Sequence, residues 1–128
     1  MGLDMYAHRV KSEDAIDTFT IAKGEDGMMK VEDLFYWRKH HDLHGWMERL
    51  YQEKGGKDTF NCRAVQLTLE DLKRLEQDIK SNLLPETTGF FFGNNPPDKE
   101  TVKYDMKFIR AARKAIREGD AVYYDSWW

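Results

Sequence analysis

The chain has 128 residues, 41% hydrophobic and 34% charged, with a formal charge of −3. That balance excludes a disordered chain, and the length favours one domain, 1–128, built on one core. Four Trp, six Tyr and seven Phe make the core aromatic, a lone Cys62 excludes an internal disulfide, and no apolar run reaches the ~20 residues of a membrane span. The N-terminal Met1-Gly2-Leu3-Asp4-Met5-Tyr6 has neither the basic nor the apolar part of a leader. These features lead to the expectation of a cytoplasmic protein without membrane contact.

Residues 3–10 alternate loosely and read as a strand. Residues 18–21 (Thr-Phe-Thr-Ile) read as a short strand, and Lys23-Gly24-Glu25-Asp26-Gly27 as a turn. Leu34-Phe35-Tyr36-Trp37 ends a strand or opens a helix. From Arg38 the helical period takes over, with Leu43, Trp46, Met47, Leu50 and Tyr51 on one face and Gly55-Gly56 as the stop. Residues 62–67 read as a strand. Thr68 then caps a helix, with Asp71 three residues on and Leu69, Leu72, Leu75 and Ile79 as its apolar stripe.

Leu83-Leu84-Pro85 ends that element. Residues 89–93, three Phe between two Gly, read as a buried strand. Residues 94–98 form a loop whose Asp98 caps a helix over 99–118, with Gly119 at its C′ position. Residues 121–124 read as a last strand before Trp127-Trp128. The fold class is therefore α+β: a small mixed or antiparallel sheet with about three helices packed mainly on one face.

The clearest chemical signal is in the last helix. At ~100° per residue, Lys99, Lys103, Lys107, Arg110, Lys114 and Arg117 fall within an arc of roughly 80°. Residues 99–118 hold seven Lys and Arg against three Asp and Glu, a net of +4, so the remainder of the chain carries −7. A nearly single-sign helix face suits an anionic ligand, a nucleic acid, a nucleotide or an acidic protein surface. Opposite it, Val102, Tyr104, Met106, Phe108, Ile109, Ala112 and Ile116 supply the core side.

Tyr36-Trp37-Arg38-Lys39 joins aromatic rings to cations, a combination that stacks a base and holds its phosphate, or forms a core edge. His40 and His44 stand one turn apart, but no third ligand completes a pattern, so no metal is assigned. Cys62 suits a small buried hydrophobe better than a nucleophile. No phosphate loop, dinucleotide-binding glycine pattern, nucleophile elbow or kinase signature occurs, so no cofactor is assigned. The aromatic C-terminus, Tyr123-Tyr124-Asp125-Ser126-Trp127-Trp128, packs on the domain, on a second copy or on a partner.

Met1-Gly2-Leu3-Asp4-Met5-Tyr6, Tyr36-Trp37-Arg38-Lys39, Leu43-His44 with Trp46, Asn61-Cys62, Leu83-Leu84-Pro85, the Gly89 to Gly93 run and the Tyr-Tyr…Trp ending resemble, in that order, a family of small uncharacterised proteins of tailed bacteriophages and prophages. The resemblance covers nearly the whole chain. Some members carry a phosphoglycerate kinase label, but this chain is far too short for that two-domain enzyme. His40 and His41 depart from the family pattern, which has Ala or Asn there. The resemblance implies action in the cytoplasm of a bacterial host. It marks Asp4, Tyr6, Arg38, Lys39, His44 and Asn61 as pocket candidates if their segments converge.

Three functions fit these residues. The preferred one is a phage accessory protein that acts by binding, an inhibitor of host machinery or of a defence such as CRISPR. Its binding residues would be Lys103, Lys107, Arg110, Lys114 and Arg117, with Tyr6, Tyr36, Trp37, Arg38, Lys39, His44 and Asn61. The alternative is a small hydrolase or transferase acting on a nucleotide or phosphorylated metabolite, with His44 as acid/base. The third is an assembly protein that forms homo-oligomers through its aromatic terminus.

Overall fold

Alternation in the first segment builds the central strand of a sheet. The computed structural model describes residues 2–81, 83–84 and 99–128, and there β1 (Asp4–Lys11) pairs antiparallel with β2 (Glu32–Arg38) on one side and β4 (Asp120–Trp127) on the other. β3 (Val65–Leu67) pairs antiparallel with β4, giving the order β2-β1-β4-β3. With helices α1 (His41–Glu53), α2 (Leu69–Lys80) and α3 (Lys99–Arg117), the fold is α+β with an antiparallel sheet.

The period of two along each strand decides what lies where. Leu3, Met5 and Ala7 with Val122 and Tyr124 face the helices. They close one core with Leu43 and Met47 of α1, Leu72 and Leu75 of α2, and Phe108, Ile109 and Ala112 of α3. The opposite face carries a smaller core of Val10, Ile21, Ala121 and Tyr123, covered by part of the excursion over residues 12–31. No helix among the described residues is long and apolar enough to cross a membrane.

Several boundaries differ from the sequence reading, each for a local reason. Residues 18–21 are not a strand. Asp17 takes the Phe19 amide on its side chain and the Ile16 amide goes to Thr20, so a turn captures the donors and only single bridges form. The first helix begins at His41 rather than Arg38. β2 pairing runs through Arg38, and Lys39 then turns with φ 58°. The strand over 62–67 shrinks to three residues because Cys62 adopts φ 59° and gives its amide to Ser126. The last strand extends to Trp127, held by β1 as far as Asp4. The expected elements over 89–93 and 94–98, Asp98 as a cap and Pro85 as a stop lie outside the described residues.

The α2 start holds as a capping box: Thr68 accepts from the Asp71 amide and Asp71 from the Thr68 amide. Asp71 also accepts from Lys54, the C-cap of α1, so two helix ends share one carboxylate. Gly119 follows α3 at φ 100°, where a glycine C′ residue was expected.

Gly56 is required for its missing side chain. A methyl group there would meet the Tyr51 ring at 2.3 Å. That ring is buried, stacked on Phe60 at 4.8 Å and edge-on to Phe19 at 5.1 Å, so it has nowhere to move. Gly56→Ala is expected to destabilise the fold by about 1–3 kcal/mol through overpacking. Thermal unfolding checks this, and an unchanged midpoint would show that the ring yields.

Candidate functional site

α3 is amphipathic at the helical period. Asp105, Phe108, Ile109, Ala112 and Ala115 are buried, while Lys99, Lys103, Lys107, Arg110, Lys114 and Arg117 are exposed. Tyr104, expected on the core side, is instead half out in solvent and donates its hydroxyl to the Tyr36 carbonyl at 2.6 Å. That bond joins α3 to β2, an edge strand.

None of Lys103, Lys107, Arg110, Lys114 and Arg117 forms an ion pair among the described residues. Arg113 does: it grips Glu76 of α2 with two bonds, at 2.9 and 3.3 Å. Arg113, with Lys80 beyond it, holds the Glu76 carboxyl below its ordinary range, and Glu76 holds the Arg113 guanidinium above its own. One of the seven cations is thereby spent on packing, which leaves six exposed, five of them in the row from Lys103 to Arg117. From Lys103 to Arg117 the row runs about 21 Å at 1.5 Å per residue. At its C-terminal end Arg110, Arg113, Lys114 and Arg117 line a shallow depression with Glu118. The helix dipole favours cations in that last turn.

The Tyr36-Trp37-Arg38-Lys39 segment does not act as one cluster, because alternate strand residues face opposite ways. Trp37 is buried on the helix side and donates its indole N–H to Asp105 at 3.0 Å. Tyr36 points to the other side and donates to Asp4 at 2.6 Å, with the Tyr6 ring 5.3 Å away. Arg38, paired in register with Asp4, is exposed, as is Lys39 in the turn. Asp4, Tyr6, Tyr36 and Arg38 therefore converge on the outer sheet face.

His44 and Asn61 lie elsewhere. Asn61 clamps the end of the chain: its side chain donates to the Trp128 carbonyl at 2.9 Å and accepts the Trp128 amide at 3.0 Å. The Trp128 indole donates to Phe60. This is the packing expected of an aromatic terminus, with Tyr123 and Tyr124 buried as well, but of the two tryptophans it takes in only Trp128. Trp127 is 63% exposed.

His44 is 3% exposed and stacks on Phe60 at 5.3 Å. Its Nδ1 lies 2.8 Å from the Tyr124 hydroxyl. Burial lowers the imidazole to about 4, and burial also raises the fully enclosed Tyr124 phenol well above its ordinary value. A neutral imidazole accepts the phenolic proton at Nδ1, which suits both shifts.

The other histidines of this segment are also engaged. His40 bonds through Nε2 to Asp105 at 2.7 Å, and His41 Nδ1 lies 3.2 Å from the Lys39 carbonyl. Cys62 is exposed rather than buried, because the turn that orients its amide toward Ser126 carries its side chain outward. Its Sγ lies 3.6 Å from Asn61. Among the described residues no group of three or more His, Cys, Asp or Glu is placed to hold a metal ion.

No protein-family model matches the chain, and no curated protein or solved structure is similar to it. The arrangement of its own residues is what bears on function.

Proposed function

We propose that the protein acts by binding, and that the basic row on α3 is the surface it presents to an anionic partner. The carrying observation is the row itself: Lys103, Lys107, Arg110, Lys114 and Arg117 are exposed and unpaired among the described residues, on one helix of an otherwise acidic chain. Cations in a row attract phosphates or carboxylates by long-range field and by direct contact, and release counterions as they do so. In keeping with the phage resemblance, the partner would be a component of the bacterial host, and the outcome inhibition of host machinery or defence. The enzyme reading has less behind it. His44, its acid/base residue, is enclosed by Phe60 and Tyr124 and separated from Arg38 and Lys39 by the turn into α1.

The test is anisotropy of labelled DNA single strand, DNA duplex and polyglutamate against the whole chain at low salt, beside a pull-down from bacterial lysate. The variant carries Lys103→Glu, Lys107→Glu, Arg110→Glu and Lys114→Glu, all at exposed positions. Affinity for the bound polyanion is expected to fall on the order of 100-fold, with a shallower salt dependence. Unchanged binding by the variant would remove α3 from the interface, and turnover without stable binding would favour the enzyme.

A further inference from the structure

The sheet turns a second surface outward, independent of α3. The small core around Tyr123 covers one end of that face. At the other end the register sets Asp4 between Arg38 and Trp127, and Tyr6 between Tyr36 and Asp125. His8 follows, opposite Asp33 and Tyr123. Tyr36 is 43% exposed and Trp127 63%. The Tyr6 ring lies 5.3 Å from Tyr36 and stacks on His8 at 6.0 Å, within 10° of parallel.

Three carboxylates stand among these rings. Among the described residues at these register positions, one cation, Arg38, opposes Asp4, Asp33 and Asp125. His8 is 7% exposed and places Nε2 3.2 Å from Asp125, which leaves Nδ1 without a hydrogen-bond partner. Asp33, its side chain 92% exposed, lies 3.6 Å from Nδ1, so the ring stands between two carboxylates. Carboxylates beside exposed aromatic rings suit a planar cationic donor. The Tyr6 phenol reports the same field: burial first, then Asp4, Asp125 and Asp33, push it above its ordinary value.

We propose that this face binds an arginine side chain of a basic peptide partner. A guanidinium is planar, so it stacks on Tyr and Trp faces while its edge donates to carboxylates, and it is less strongly hydrated than an ammonium. Three strands at ~4.8 Å spacing make a platform roughly 10 Å wide, the size of one such group with its flanking backbone. Net negative charge on the face and donors on the ligand make the two complementary.

The experiment titrates the whole chain against a labelled peptide of Gly-Arg repeats, and against the same peptide with Lys for Arg. Anisotropy is read for wild type, Asp33→Asn and Trp127→Ala. Both substitutions replace exposed side chains, and circular dichroism confirms the fold. The Arg peptide is expected to bind more tightly than the Lys peptide, and each substitution to weaken it about 3- to 10-fold, the scale of a cation–π or exposed charge contact. The α3 charge-reversal variant should bind the Arg peptide at least as well as wild type, which separates this face from the α3 proposal. Equal affinity for both peptides, no effect of either substitution, or loss of binding in the α3 variant would overturn the inference. So would self-association that Trp127→Ala abolishes in the absence of peptide binding, since that would give the face to a second copy.

Discussion

Replacing Asp105 by alanine is expected to destabilise the protein by about 3 kcal/mol or more. Asp105 is 1% exposed, on the face of α3 that packs into the core. It accepts from the Trp37 indole of β2 at 3.0 Å and from His40, the N-cap residue of α1, at 2.7 Å. One carboxylate thus ties an edge strand and the start of one helix to the middle of another. Alanine would leave the buried indole N–H without an acceptor and open a cavity beside Phe108, whose ring lies 4.7 Å from that of Trp37.

Asparagine keeps the shape and one carbonyl oxygen, and its amide can face a His40 whose Nε2 has become the acceptor. Asp105→Asn should therefore cost much less than Asp105→Ala. Urea unfolding checks both, with the midpoint lowered and the slope unchanged if the native state alone is affected. Trp37→Phe with Asp105→Ala should cost less than the two changes summed, because the orphaned donor goes with its acceptor. A loss below about 1 kcal/mol for Asp105→Ala would mean that water replaces the carboxylate without penalty.

Asp105 also shows where sequence reading stops. The period of α3 separates apolar residues from basic ones, and the structure follows that division at Phe108, Ile109 and Ala112 and at the whole row of cations. An aspartate on the apolar side has no periodic explanation. Its reasons are Trp37 and His40, 68 and 65 residues away. The α2 start was legible because a capping box is local, with both partners within three residues.

The outer sheet face was only half legible. Tyr6, Tyr36 and Arg38 were expected as binding residues and Asp4 as a pocket candidate, and they do meet. Asp33 and His8 were not named, and Asp125 and Trp127 were named only with the aromatic C-terminus, because β-strand register brings them there across the whole length of the chain. Trp37 was grouped with Tyr36 by adjacency, yet a strand sends neighbours to opposite faces, so adjacency was the wrong measure.

The stability of the protein should also fall as pH drops from about 6.5 towards 4, and His44 should be a principal cause. Burial lowers its imidazole from 6.5 to about 4. Between those values the unfolded chain binds a proton at this residue and the folded chain does not. The unfolded state then holds more protons, so stability rises with pH across that window. His44's contribution is fully present above 6.5, is lost progressively on acidification, and changes no further once the folded protein itself takes up the proton near 4. A displacement of that size corresponds to about 3 kcal/mol.

His44→Gln keeps a carbonyl that can accept from Tyr124 but cannot titrate, so it should flatten this part of the stability profile even if it lowers the plateau at neutral pH. Proton NMR of the folded wild type gives the direct reading. An imidazole that stays neutral down to about pH 4 supports a packing role, and it would make a weak general base at neutral pH. An imidazole that titrates near 6.5 while the fold is intact would mean that water reaches it, and His44 would return as a candidate acid/base residue.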